Sequence, residues 1–154
     1  PAFTGWGTPH WDPQARGVLV GLTRDSNRGH IARAALEGIA LSVATLVELA
    51  GEALGHDLRE LAVDGGAAAS DPLLQAQADS TGLPVRRPRN LESTARGIAL
   101  FAGVQCGLIP DLSAIADHRE DDVQRFEPQI NTERRRHQRD RWNDAVNRSL
   151  GWHG

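Results

Sequence analysis

The most pointed chemistry in this 154-residue chain lies in Asp64-Gly65-Gly66-Ala67-Ala68-Ala69-Ser70, between an apolar run and a helix start. Two consecutive glycines remove every Cβ, so a flat ring or a phosphate can come up against the backbone. A helix N-terminus just beyond them offers N–H groups to an anion. In open α/β sheets ligands bind at this kind of place, beyond the carboxyl end of a strand. A plain tight turn is the competing reading of the same spacing, because the GxGxxG pattern of dinucleotide sites is absent. Asp64 is either a base or a cap for the turn.

The remaining candidates read as structural. His10, Asp12 and His30 fall at no known metal-ligand spacing, and no spaced Cys/His set suggests a zinc site. Glu37 falls within an apolar helical pattern, with Arg33 four residues earlier on the same face to pair with it. Arg134, Arg135, Arg136, Arg139 and Arg141 form a basic cluster without interleaved aromatics, which fits a solvated helix face or a protein contact better than nucleic acid. Cys106, the lone cysteine, sits in an apolar helical pattern and reads as packing.

Composition closes several classes. All 17 basic residues are arginine, so Schiff-base chemistry, a Walker A lysine and a lysine general base are excluded. The net charge of −3 supplies no general attraction for nucleic acid or an anionic membrane. Hydrophobic residues at 40% and charged residues at 24% are those of a folded globular domain. No run of about 18 uninterrupted apolar residues appears, and a single cysteine fits a reducing compartment.

The elements that must position the turn follow from periodicity. Residues 1–16, rich in Gly, Pro and Trp, predict an ordered loop that packs Trp6 and Trp11. Gly17 to Leu22 reads as a strand, with Asp25-Ser26-Asn27 as helix caps after it. Ile31, Ala35, Ile39, Val43, Leu46, Val47, Ala50 and Leu54 then recur at helical spacing, widened by Leu36, Ala40 and Ala44, which predicts a long, mostly buried helix. Leu58 to Val63 is a second strand. Asp71-Pro72 reads as a cap and first turn of a helix to Thr81, stopped by Gly82. Leu83 to Arg87 is a third strand, and Ser93-Thr94 opens a helix containing Ile98, Ala99, Phe101, Ala102 and Val104. Residues 111–130, with charge concentrated from Asp117 to Asp122, read as a solvated connection. A last helix spans 131–151, with Trp142, Ala145, Val146, Ser149 and Leu150 on one face. Strand–helix alternation over 17–110 predicts an α/β layered core with a parallel sheet.

Several of these stretches resemble one family. GVLVGL, seven residues, then HIARAALE, covering Gly17 to Glu37, is similar to the second signature of the FGGY carbohydrate kinases. Pro1-Ala2-Phe3-Thr4-Gly5, with Gly7, Pro9, Trp11, Asp12, Ala15 and Arg16, resembles the glycerol-phosphorylating members. VDGGAAAS resembles their adenosine motif, LESTARGIALFAGVQCGL the helix that follows, and Phe126, Pro128 and Trp142 their C-terminal tail. Departures are Ser70, where asparagine is usual, His10, where tyrosine or tryptophan is common, and Arg96, where leucine is frequent.

The resemblance implies part of an actin/hexokinase/Hsp70-like (ribonuclease H-like) ATPase domain. In that scheme residues 1–154, which lack a starting methionine, are the C-terminal nucleotide-binding portion of a much longer cytoplasmic chain. The implied reaction passes the γ-phosphoryl of Mg-ATP to glycerol, giving glycerol 3-phosphate. Gly66 would touch the adenosine side of ATP, Gly65 and Ala67 would shape the turn, and Ser70 would stand near the adenine. The catalytic aspartate, the magnesium ligands and the glycerol contacts are expected upstream, so this stretch alone is expected to be inactive. A homo-oligomer is implied, with no nucleic-acid or membrane partner. The alternatives are another FGGY sugar kinase such as a xylulokinase, or a degenerate, non-catalytic member. The family places a three-stranded antiparallel ribbon before the long helix, where only one strand candidate stands here. Leu58 to Val63 is therefore expected to present an unpaired edge.

Overall fold

The computed structural model describes residues 1–111, 113–114 and 123–152. After a loop, α1 (Arg28–Leu54) leads to β1 (Leu61–Ala62), a short 3-10 helix (Gly66–Ala69) and α2 (Asp71–Thr81). β2 (Val85–Pro88), α3 (Ser93–Gln105), β3 (Val123–Phe126) and α4 (Thr132–Asn147) follow. The charged stretch Asp117 to Asp122 lies outside the described residues.

The sheet order is β1-β2-β3. β1 and β2 are parallel, with Leu61 opposite Val85, and β2 and β3 are antiparallel, with Val85 opposite Phe126. The expected parallel pair is therefore present, with an antiparallel strand added from within the stretch read as a connection. Val-Gln-Arg-Phe is too short for its alternation to announce a strand. Pairing with β2 and burial of Phe126 make it one. The other edge of β1 has no strand partner among the described residues.

α2 is the centre of the fold, with Leu73, Leu74, Ala76, Gln77, Ala78 and Ser80 all buried. Leu74 and Ala78 join Ala68, Val85 and Phe126 in one core, with Leu61, Val63 and Leu91 packed around it. α1 packs against α2, and its buried residues are the small Gly38, Ala40 and Ala44. The helix is as long as its periodicity predicts, but the expected seam is not the one it buries. Ile31, Ile39, Leu46 and Leu54 are exposed. Small side chains let the two helices approach closely, and nothing in the described residues covers the large ones. α1 is also apolar enough, by length and composition, to cross a membrane, at a mean hydropathy of 1.5. Its small residues are spent on a helix–helix contact instead.

Helix ends follow local chemistry. Asn27 accepts from the N–H groups of Gly29 and His30, and the His30 ring accepts in return from the Asn27 N–H, which closes a reciprocal cap on α1. Asn131 caps α4 through the Arg134 N–H. One expectation shifts by one residue: Ser70, not Asp71, caps α2, whereas α3 opens at Ser93 as predicted, after Glu92 and without a side-chain cap. Pro72 then stands at the second helical position, where its missing N–H costs little.

One predicted strand is absent. Gly17 to Leu22 is irregular, and Leu19, Val20 and Leu22 are exposed. A β-branched run becomes a strand only when another backbone meets its N–H and C=O groups, and among the described residues no strand pairs with this one.

The N-terminal loop is ordered by pairing with the C-terminal end. Trp6 bridges to Asp12, stacks edge-on with Trp142 at 5.8 Å between centroids, and donates to Ser149 Oγ at 2.6 Å. Trp11, expected to pack likewise, is exposed.

Candidate functional site

The turn after β1 is a backbone surface. Val63 N–H continues the ladder to Arg86 O at 3.0 Å, and Gly65 N–H then reaches Leu91 O at 2.9 Å. Gly65 has φ +78° and ψ 177°, a conformation essentially reserved for glycine. Gly66–Ala69 follows as one 3-10 turn, in which Ala68 N–H donates to Gly65 O at 3.0 Å and Ser70 N–H to Ala67 O at 3.2 Å. The Ala68 methyl is buried in the core.

The two glycines differ in what explains them. Gly65 is needed for its positive φ. At Gly66 the φ is not positive, and a Cβ would meet no atom within 4 Å. Neither strain nor packing within the described chain requires a glycine there. What a side chain at 66 would exclude lies on the open side of the turn.

The α2 N-terminus keeps few free donors for an anion. At the α2 N-terminus Pro72 has no N–H, the Leu73 N–H is taken by Ser70, and Asp71 places a carboxylate in the first turn. A phosphate there would meet few free donors, beside a carboxylate that Arg87 already pairs at 2.8 Å. The backbone of Gly65 and Gly66 is the part of the turn left open, since a Cβ at either would meet nothing within 4 Å.

Ser70 accepts from the Leu73 N–H at 3.4 Å through Oγ. Among the described residues no acceptor takes its hydroxyl proton.

One participant was not legible beforehand. Arg87, near the end of β2, donates from Nη1 to Ala68 O at 2.8 Å and pairs with Asp71 Oδ1 at 2.8 Å. Its Nη2 donates to Gln124 Oε1 on β3, and its guanidinium lies 5.2 Å from the Phe126 ring centroid. Beside it runs an open groove of ≈ 440 Å³ lined by Ala69, Arg87, Pro88, Arg89, Leu91 and Gln124. An arginine in an Arg-Arg-Pro-Arg run carries no sequence signal for such a role.

The other candidates lie apart from this turn and do structural work. His10 meets Trp6 edge-on at 6.0 Å, His30 belongs to the α1 cap, and Arg33 pairs with Glu37 at 2.6 Å on a solvated face. Asp12 accepts from Gly151, Gln14 and Ala15 N–H groups, which hold its carboxyl below the usual range. Arg135 donates to Asp79 O, and Arg139 to Thr45 Oγ1 and Glu48, so two of the clustered arginines fasten α4 to α2 and α1. Cys106, read as packing, is instead exposed at the end of α3, since the helix stops there and leaves it outside the core. Among the described residues no group of three His, Cys, Asp or Glu could hold a metal ion.

Residues 1–106 match the model of the FGGY family of carbohydrate kinases, C-terminal domain. The chain belongs to that family. It is 52% identical over 152 residues to a glycerol kinase of Citrifermentans bemidjiense and 51% identical to one of Geobacter sp. strain M21, covering 99% of this chain and 30% of each relative. The chain thus spans about 30% of the length of the curated relatives it matches. Among solved structures, Plasmodium falciparum glycerol kinase with ADP superposes with a TM-score of 0.81 at 31% identity, over 97% of this chain and 30% of that one. A ligand-bound xylulose kinase from Lactobacillus acidophilus gives 0.68 at 26% identity, over 96% and 29%. The α/β arrangement is therefore that of an FGGY C-terminal domain, in the actin-like ATPase class that the sequence resemblance implied.

Proposed function

We propose that this chain supplies the adenosine-facing wall of a glycerol kinase, which in its full length transfers the γ-phosphoryl of ATP to glycerol and forms glycerol 3-phosphate. The observation that carries this reading is Gly66: a residue with no side chain, no positive φ and open space where a Cβ would stand. A ring laid on that backbone explains the glycine, and nothing within the described chain does.

In this reading Gly65 and Ala67 shape the turn, Gly66 meets the adenosine, and Ser70 offers its free hydroxyl proton to the ring or to a bridging water. An asparagine at 70 would keep the cap and add a second polar group, so serine narrows the direct contact without removing it. The described residues do not fit a magnesium site, and the metal ligands and catalytic base are assigned to other parts of the full-length protein. Phosphoryl transfer in this fold needs no lysine in a Walker A loop, which accords with a chain whose basic residues are all arginine.

Glycerol is favoured over xylulose because the glycerol kinase neighbour superposes at 0.81 against 0.68 for the xylulose kinase. A cytoplasmic, homo-oligomeric enzyme without nucleic-acid or membrane partners completes the proposal. It is supported by the likeness to glycerol kinases and by the engagement of Arg135 and Arg139 within the fold.

The test is calorimetric titration of Mg-ATP and Mg-ADP into the full-length protein and its Gly66→Val variant. Because a Cβ at 66 meets nothing within 4 Å, the variant is expected to fold as the parent does and to lose nucleotide affinity. A parent that binds no nucleotide makes the protein a degenerate family member. Phosphorylation of xylulose in preference to glycerol favours the other sugar-kinase reading.

A further inference from the structure

We propose that Arg87 is the positioning residue of the nucleotide wall: through one guanidinium it fixes the Gly65–Ser70 turn relative to α2 and β3. The inference rests on the reading of that turn as the adenosine-facing surface.

The two glycines have the most permissive backbone in the chain, so their location is set by what holds the ends of the turn. At the entry, Gly65 N–H is tied to Leu91 O. Further along, the Ala68 peptide is held on three sides. Its N–H goes to Gly65 O, its methyl is in the core, and its carbonyl accepts from Arg87 Nη1 at 2.8 Å. Arg87 is itself immobilised, with a side chain only 15% exposed, a carboxylate partner in Asp71, an amide partner in Gln124 and the Phe126 ring beneath it.

Only a planar fork with donors in several directions can meet a carbonyl, a carboxylate and an amide oxygen at once. A lysine ammonium could reach one or two of them. A wall made of backbone has no side-chain rotamers with which to correct an error, and a displacement of about 1 Å at a binding surface can cost about a hundredfold in rate. Losing the Ala68 carbonyl contact therefore moves the surface that a nucleotide must meet. Sites elsewhere in the full-length protein stay as they were.

The experiment compares full-length wild type with Arg87→Ala, Arg87→Lys and Gln124→Ala. It measures Mg-ATP and Mg-ADP affinity by calorimetry, KM for ATP and for glycerol with kcat, and amide hydrogen exchange over residues 64–70 without ligand. For Arg87→Ala we expect about a tenfold rise in nucleotide Kd, equivalent to about 1.4 kcal/mol. ATP KM should rise in parallel, with kcat and glycerol KM nearly unchanged, and exchange should be faster in the ligand-free turn. Arg87→Lys should recover part of each change.

Unchanged Kd and exchange in folded Arg87→Ala would overturn the inference, as would a common loss of kcat and both KM values that Arg87→Lys does not repair. Should Arg87→Ala fail to fold, Arg87→Lys and Gln124→Ala carry the test: wild-type affinity and exchange in both overturn it, and weakened nucleotide binding in either supports it. If the wild type binds no nucleotide, the underlying reading fails and the positioning role falls with it. If the wild type binds and the Arg87 variants bind equally well, only the positioning role is lost.

Discussion

The indole N–H of Trp6 donates to the Ser149 hydroxyl at 2.6 Å, and that hydroxyl donates in turn to Val146 O at 2.7 Å. Residues 143 positions apart are thereby joined inside the fold, with Ser149 wholly buried and Trp142 packed edge-on against the same indole. Ser149→Ala leaves the Trp6 N–H without its partner, and an unmet buried donor costs about 1–3 kcal/mol. Urea unfolding followed by tryptophan fluorescence should show a loss in that range. A change below about 0.5 kcal/mol, the level of an ordinary surface substitution, would mean that the N-terminal loop is not held this way.

Asp12 belongs to the same closure, since its Oδ2 accepts from the Gly151 N–H at 2.7 Å. That bond, then the Gln14 N–H, keep its carboxyl below the ordinary carboxylate value against the opposing effect of desolvation. A depressed folded-state value means that the stabilisation is full above the unfolded-state value and disappears as pH falls through the folded one. Asp12→Asn should therefore melt lower than wild type at neutral pH, with the gap closing at pH values below the usual carboxylate range. A gap that persists unchanged into strong acid would assign the effect to shape and not to charge.

Ser70 caps α2 and, in the proposed reading, also faces the nucleotide. As the cap of α2 it accepts from the Leu73 N–H, and removing a cap of this kind costs about 1 kcal/mol. Ser70→Ala should show that loss in thermal or urea unfolding. Ser70→Asn keeps a capping oxygen and should stay within about 0.5 kcal/mol of wild type, while its added amide should tighten Mg-ATP binding in calorimetry. Loss of stability in the asparagine variant equal to that in the alanine variant would contradict the cap assignment.

The arginines of α4 should divide by their partners. Arg139 is 14% exposed and joins Thr45 Oγ1 at 2.8 Å and Glu48 across the helix pair. Arg136 is exposed on the solvent face. Arg139→Ala should cost about 1–2 kcal/mol through its lost hydrogen bonds, and Arg136→Ala less than about 0.5 kcal/mol, both read from urea midpoints. Equal effects would mean that the cluster acts by charge alone.

The sequence was most informative where short-range chemistry decides the outcome. Gly82 ending α2, the Asn131 cap, the Arg33–Glu37 pair and the glycine turn after a strand all follow from interactions within a few residues. The same holds for the helices, because a period of three to four residues survives whatever packs on it. The family was legible for a related reason: its motifs are contiguous stretches whose residue types and spacing are read along the chain without any tertiary contact.

What escaped was whatever depends on a distant partner. Gly17 to Leu22 has strand composition and no pairing strand among the described residues, while Val123–Phe126 has little signal and becomes a strand because β2 lies beside it. On α1 the pattern of large residues pointed to one seam, yet packing leaves Ile31, Ile39 and Leu46 exposed and buries Gly38, against Pro1 and Trp142, together with Ala40 and Ala44. Arg87 could not be singled out among neighbouring arginines until folding brought Ala68, Asp71, Gln124 and Phe126 around it. By itself the sequence determined the helices, the Gly82 stop of α2 and the glycine turn, because those rest on local dihedral and hydrogen-bond preferences. Which faces are buried, which strands pair and which arginine holds the turn were decided only by tertiary structure, because each requires a contact between residues far apart in the chain.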